Sequence, residues 1–273
     1  MKKFLLAIIA ISGVMSCFAQ DSTKKEGADT IKIGGMIIIR DGKNKDKDNK
    51  DRNVTISNRN KKRNSNLSTN WWIVDLGFSN LDDQSNYAAA QSQGFVGPGV
   101  GEDQFDLRTG KSINVNVWFF MQRLNVIKHV VNLKYGLGLE LNNYSFDDTR
   151  MRFSKNPTTI TLQEEVKKVK LAADYITVPM MVNFNFTPRR KNGFGLSAGA
   201  SAGYLYSSRM KLKNNDDKSK LHDDFDLKKW KLSYIGELNL GPVKLYGSYA
   251  MNNMWEKGLD QTPYNVGIRI ASW

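Results

Sequence analysis

Beyond residue 69 the chain alternates apolar and polar side chains with period two, the pattern of strands that present one face to an apolar environment and the other to a polar one. Eight such segments occur, at 72–79, 113–122, 131–142, 176–186, 194–206, 230–240, 243–249 and 264–271. In the third, for example, Val131, Leu133, Tyr135, Leu137, Leu139 and Leu141 alternate with Asn132, Lys134, Gly136, Gly138, Glu140 and Asn142. In the second, Ile113, Val115, Val117, Phe119 and Met121 fall on the apolar face. Most segments reach ten residues or more. Strands of soluble domains run to about 5–6 residues, whereas tilted membrane strands need about 9–11. Length and alternation fit either a soluble sandwich, which buries its apolar face against a second sheet, or a small barrel that turns that face to lipid.

The connections separate the two. Segments 80–111, 147–170, 208–229 and 252–263 are long, and 125–129, 188–192 and 241–242 are short. Long and short links alternate strictly. A sandwich has no reason to sort its loops this way, whereas outer-membrane barrels carry long loops at one end and short turns at the other. Trp71, Trp72, Tyr144, Phe146, Tyr204, Tyr206, Trp230, Tyr249, Tyr264 and Trp273 fall near strand ends, where interfacial girdles are expected. The predicted fold is therefore all-β: an eight-stranded antiparallel up-and-down transmembrane β-barrel over residues 70–273, with both termini on the short-turn side and a disordered N-terminal extension before it.

The first 69 residues set compartment and charge. Lys2 and Lys3 precede the apolar run from Phe4 to Val14, and Cys17 and Ala19 place small residues before Gln20. This is the layout of a secretory signal, predicting cleavage after Ala19. Met15-Ser16-Cys17 is a poor lipobox, in which Cys17 would be the lipidated residue. Residues 20–69 form a basic extension with one short strand expected near 30–40. Positions 42–69 hold nine Lys/Arg against three Asp, a net +6. So few apolar groups cannot offset the entropy of ordering, so the tract reads as a flexible spacer or as an electrostatic contact with an anionic envelope surface. The whole chain carries +13. Export argues against nucleic acid as the partner of that charge. The single cysteine excludes a disulfide framework and a cysteine-based zinc site.

The segments Asn70-Trp71-Trp72-Ile73-Val74-Asp75-Leu76-Gly77-Phe78 and Asp174-Tyr175-Ile176-Thr177-Val178-Pro179-Met180-Met181 carry a resemblance. With the hairpin Gly241-Pro242-Val243-Lys244-Leu245-Tyr246-Gly247 and the terminal Trp273, they resemble the PorT-like outer-membrane β-barrel family of Gram-negative bacteria. The resemblance covers roughly residues 70–273 and concerns a barrel, not a chemistry. It implies insertion by the outer-membrane assembly machinery, which reads a final strand ending in an aromatic. Tyr264, Val266, Ile268 and Ile270 form that strand's apolar face, and Trp273 is out of phase with them.

Candidate chemistry is sparse. Turning the polar faces inward puts Asp75, Lys134, Glu140, Glu237, Lys244 and Arg269 in the lumen, three acids against three bases. In a barrel of eight strands side chains about fill the interior, so a charge-paired core is expected, with a narrow solute conduit as the alternative. His222, with Asp223, Asp224 and Ser219 in the third long loop, imitates hydrolase components. The same acids, with Asp216 and Asp217, imitate a cation site without the spacing of one. The glycine-rich Gly94–Gly101 stretch either caps the barrel or is a disordered surface loop. The expectation is an outer-membrane anchor with a structural or interaction role, alternatively a small-solute porin or a surface hydrolase using His222. Neither a cofactor nor a metal is expected, nor an enzyme. The expected partners are outer-membrane lipid, the assembly machinery, and peptidoglycan or a periplasmic protein through the basic tail. The protein is expected to be a monomer in the outer membrane.

Overall fold

The computed structural model describes residues 29–33, 36–40, 65–155, 157–188, 190, 193–214 and 217–270. The expected signal segment with Cys17, most of the basic tract, Asp216 and Trp273 lie outside them. The chain divides between Asn64 and Ser65. In the first unit, β1 (Asp29–Ile33) and β2 (Met36–Arg40) pair antiparallel, with Ile33 opposite Met36. Where one strand is expected near 30–40 there are two, with Gly34-Gly35 between them, the dipeptide that suits a two-residue hairpin link.

The second unit is the barrel. Its strands are β3 (Leu67–Asp83), β4 (Ile113–Ile127), β5 (Val131–Ser145), β8 (Lys168–Asn185), β9 (Phe194–Asn214), β11 (Trp230–Leu240), β12 (Val243–Ala250) and β13 (Gln261–Ile270). Each pairs antiparallel with its sequence neighbour in this set, β13 pairs with β3, and β8–β9 completes the ring. β3 starts three residues ahead of the expected boundary. Shorter strands belong to the long loops. β6 (Met151–Phe153) and β7 (Ile160–Leu162) form a hairpin, and β10 (Asp217–His222) pairs with the far end of β9. A short helix, α1 (Tyr87–Ser92), lies in the first long loop, capped by Asn86, whose side chain accepts from the Ala89 N–H.

Alternation decides which face each residue occupies. Leu76, Phe78, Ile176, Val178, Met180, Val182, Leu196, Leu232, Leu238, Leu245, Val266, Ile268 and Ile270 all point outward and are exposed, forming a continuous apolar belt. Trp71 and Trp72 mark its short-turn rim. The Tyr204–Trp230 pair (5.1 Å) and the Tyr249–Tyr264 pair (6.4 Å) mark its long-loop rim. Several expected assignments are reversed: Tyr144 and Phe146, expected in the girdle, are buried in the crown, and past the middle of β4 the expected faces exchange. Met121 belongs to the apolar face by period two, yet it is fully buried inside the barrel. A β-bulge between Trp118 and Phe120 inserts one residue, and a one-residue slip moves every later side chain to the opposite face. Met121 then packs with Ile73, Trp118, Met181 and Ile235 as a small apolar cluster in the lumen.

Candidate functional site in the barrel lumen and crown

Among and beside these side chains the lumen holds a chain of ion pairs. Asp75 on β3 accepts two bonds from the Arg269 guanidinium of β13, Nε to Oδ1 at 2.6 Å and Nη2 to Oδ2 at 2.8 Å. The Trp118 indole N–H donates to the same carboxylate at 2.7 Å. Arg269 also donates through Nη1 to Glu237 on β11, and the other Glu237 oxygen pairs with Lys134 on β5. A second pair joins Glu140 on β5 to Lys231 on β11. Asn142 and Asn265 donate to Glu140 at 3.1 and 3.2 Å. All six charged groups are buried. Buried charges persist only when paired and hydrogen-bonded, and here three acids meet three bases.

The sequence identifies five of these six. Asp75, Lys134, Glu140, Glu237 and Arg269 come together as expected. Lys244 stands toward the Lys134 end of this chain, with Lys134 and Arg123 as its charged neighbours. It lies near the β11–β12 turn and is only half-buried. The sixth member is Lys231, whose ammonium also stands 5.3 Å from the Tyr175 ring centroid. Period two places Lys231 inward but does not give its height in the barrel. The remaining free space in the network is about 30 Å³, room for about one or two waters.

The four long loops close the other end. They do not lie loosely over the mouth. Phe95 and Phe105 from the first, Phe146 and Phe153 from the second, Phe225 from the third and Trp255 from the fourth are all buried in one apolar cluster. Phe153 stacks on Trp255 at 6.2 Å and 13°, and packs edge-on to Phe225 at 6.0 Å. Phe95 meets Trp255 edge-on at 5.6 Å. The cluster continues into the mouth through Tyr144, Leu171, Tyr175 and Leu205. The Gly94–Gly101 stretch is thus part of a cap, with Phe95, Val96 and Val100 buried. Positive φ at Gly94 and Gly99 lets the backbone turn between them. Loop aromatics carry no periodicity, so this crown has no signature in the sequence beyond its apolar content.

On the crown Asp83 ties α1 to β13. It accepts from Tyr87 Oη at 2.5 Å, Gln261 Nε2 at 2.6 Å and the Ser85 N–H at 2.9 Å. Burial works to raise the Asp83 carboxyl, but these bonds together hold it below its ordinary value. A groove of about 500 Å³ beside it is lined by Asp82, Asp83, Glu102 and Asp106 with Tyr249 and Tyr264.

His222 lies on β10, not in an irregular loop, and opposes Arg209. Ser219, three residues away along the same strand, faces the other side of the sheet. Ser208 Oγ donates to the Asp223 backbone carbonyl, and Asp224 pairs with Lys229 at 3.1 Å. These contacts do not assemble a nucleophile, base and acid in sequence. On the final strand Val266, Ile268 and Ile270 are exposed on the outward face, as expected, and Tyr264 lies on the same face at the rim.

Residues 48–254, most of the chain, match the family described as outer membrane protein beta-barrel domain. The chain belongs to that family, and it is an outer-membrane β-barrel protein. No curated protein matches it.

Proposed function

We propose that this member of the outer membrane protein beta-barrel family is a non-conducting anchor with a structural or interaction role, presenting its crown on the cell exterior and a basic tail in the periplasm. The observation that supports this best is the filled lumen. A conduit needs a continuous water path, whereas the Asp75–Arg269–Glu237–Lys134 chain leaves about 30 Å³ and an aromatic cluster lies across the loop end. The barrel's apolar belt commits it to lipid, and what remains available for partners is the crown and the tail. In this reading export begins with cleavage after Ala19, and the assembly machinery reads β13. The monomer works without cofactor, metal or enzymatic step. The net +6 of residues 42–69 meets peptidoglycan or a periplasmic protein. The porin reading is tested by swelling of vesicles holding the full chain in solutions of small sugars and amino acids. The anchor reading expects the swelling rate of empty vesicles, and solute-size-dependent swelling overturns it.

A further inference from the structure

Three strands extend past the girdle as a small sheet in which β9 lies between β8 and β10. Cross-strand register aligns Lys168, Lys213 and Lys218 in one row, and Lys170, Lys211 and Lys220 in the next. Residues two apart on a strand share a face, so all six ammonium groups belong to one side of the sheet. The other side is apolar. Val169, Leu171 and Met210 are buried in the cap cluster, and Leu212 and Leu221 pack against it.

Like charges placed directly opposite destabilise a sheet. Among the described residues none of the six forms an ion pair with an acid. Lys170 Nζ donates to the Lys111 carbonyl at 2.7 Å, and Lys211 Nζ donates to Asn143 Oδ1 at 3.1 Å. Burial, with Lys168 and Lys211 beside it, lowers the Lys170 ammonium to about 8. The repulsion is therefore left within the fold, and an anion seated on the lattice relieves it.

The lattice shares the outward face of β8 with the lipid belt, with buried Asp174 and Ala172 between them. On β8 the same outward face runs from exposed Met180, Val178 and Ile176, past Asp174 paired with Arg209, and past Ala172, to Lys170 and Lys168. Six residues separate Ile176, level with the Tyr204–Trp230 girdle, from Lys170. At ~3.3 Å per residue and ~40° of tilt, the lattice begins about 15 Å beyond the girdle. A phospholipid headgroup layer is only about 5–8 Å deep. A headgroup several sugars deep reaches the lysines.

We propose that this six-lysine face binds the phosphate groups of a phosphorylated glycolipid packed against the barrel's β8–β9 side. The proposal takes its leaflet from the reading that the crown faces outward, but the binding chemistry does not depend on it.

The test uses the full chain in nanodiscs with both leaflets neutral, to which a phosphorylated lipid A carrying inner-core sugars is added, so that insertion direction is irrelevant. Retained glycolipid is counted by native mass spectrometry. Wild type is expected to retain it, and the triple variant Lys168→Gln, Lys213→Gln, Lys218→Gln to bind at least about tenfold more weakly, since each lysine near an anionic surface contributes a several-fold factor. The Lys→Arg triple is expected to bind as wild type. In neutral detergent without glycolipid the Gln triple is expected to melt no lower than wild type, which separates loss of binding from loss of folding. Equal retention by wild type and Gln triple overturns the proposal, as does equal retention of the dephosphorylated glycolipid. Equal retention of phosphatidylglycerol or free phosphate overturns the glycolipid assignment. A cysteine at Ser219 labelled only after the outer membrane of whole cells is permeabilised overturns the outward crown instead, leaving the nanodisc result intact.

Discussion

Arg269 is held by two carboxylates at once, Asp75 and Glu237, and its guanidinium stands 5.8 Å from the Trp118 ring. Arg269→Met leaves Asp75 buried without its cation and Glu237 with Lys134 alone. Removing one partner of a buried pair costs about 3–5 kcal/mol, and that loss is expected in urea unfolding followed by the heat-modifiable gel shift. Glu140→Gln with Lys231→Met removes both partners of the second pair and is expected to cost less than either change alone. A larger loss in the double variant would show that the pair is not the unit we describe. Outside, Val182→Arg on the lipid face is expected to cost about 2–4 kcal/mol in bilayers. Gly136→Ala fails for a different reason: a Cβ there meets the Phe120 carbonyl at 2.5 Å, across the bulged stretch of β4. Wild-type stability of Val182→Arg in bilayers would reverse the inside and outside faces.

At the scale of elements, the strands were legible in the sequence and their heights were not. Period two placed Asp75, Glu140, Glu237 and Arg269 inside because each residue's face depends only on its own strand. Which lumen charge meets which depends on the stagger between strands, and the Glu140–Lys231 pair was therefore not visible in the sequence. Met121 escaped because a bulge leaves no mark in alternation. The crown escaped because Phe95, Phe153, Phe225 and Trp255 converge from four separate loops with no common spacing. Their convergence gives a test. Trp255→Ala is expected to cost about 3–5 kcal/mol of crown stability, read as faster hydrogen exchange in all four long loops while β4 and β5 stay protected. Exchange confined to residues 251–260 would mean that the loops do not share one core. The crown is also expected to depend on pH. The Asp83 carboxyl is held below its ordinary value, so its ionised form favours the closed crown. That contribution is complete above the unfolded value of about 3.9 and is lost as pH falls through the lower folded value. Opening of the 84–112 loop, followed by exchange, is expected to rise below about pH 4, and Asp83→Asn is expected to be open already at neutral pH. A loop whose exchange is flat across that range would remove Asp83 as its tie.

The whole molecule combines a lipid-facing belt, a lumen filled by paired charges, a cap with its own core and a basic N-terminal segment. The parts are separable in energy because the barrel's ladders close without the tail: β3 pairs with β4 from Leu67 onward and with β13 from Val74 onward. Deleting residues 43–64 is therefore expected to leave the heat-modifiable barrel intact while abolishing salt-sensitive co-sedimentation with wall material. Co-sedimentation that survives the deletion and high salt would move the partner to the barrel. The central claim is that the native barrel does not conduct. Current through planar bilayers containing the purified full chain tests it most directly. The sealed lumen predicts the leak of a protein-free bilayer at every applied voltage. Reproducible conductance steps that scale with inserted protein would contradict it.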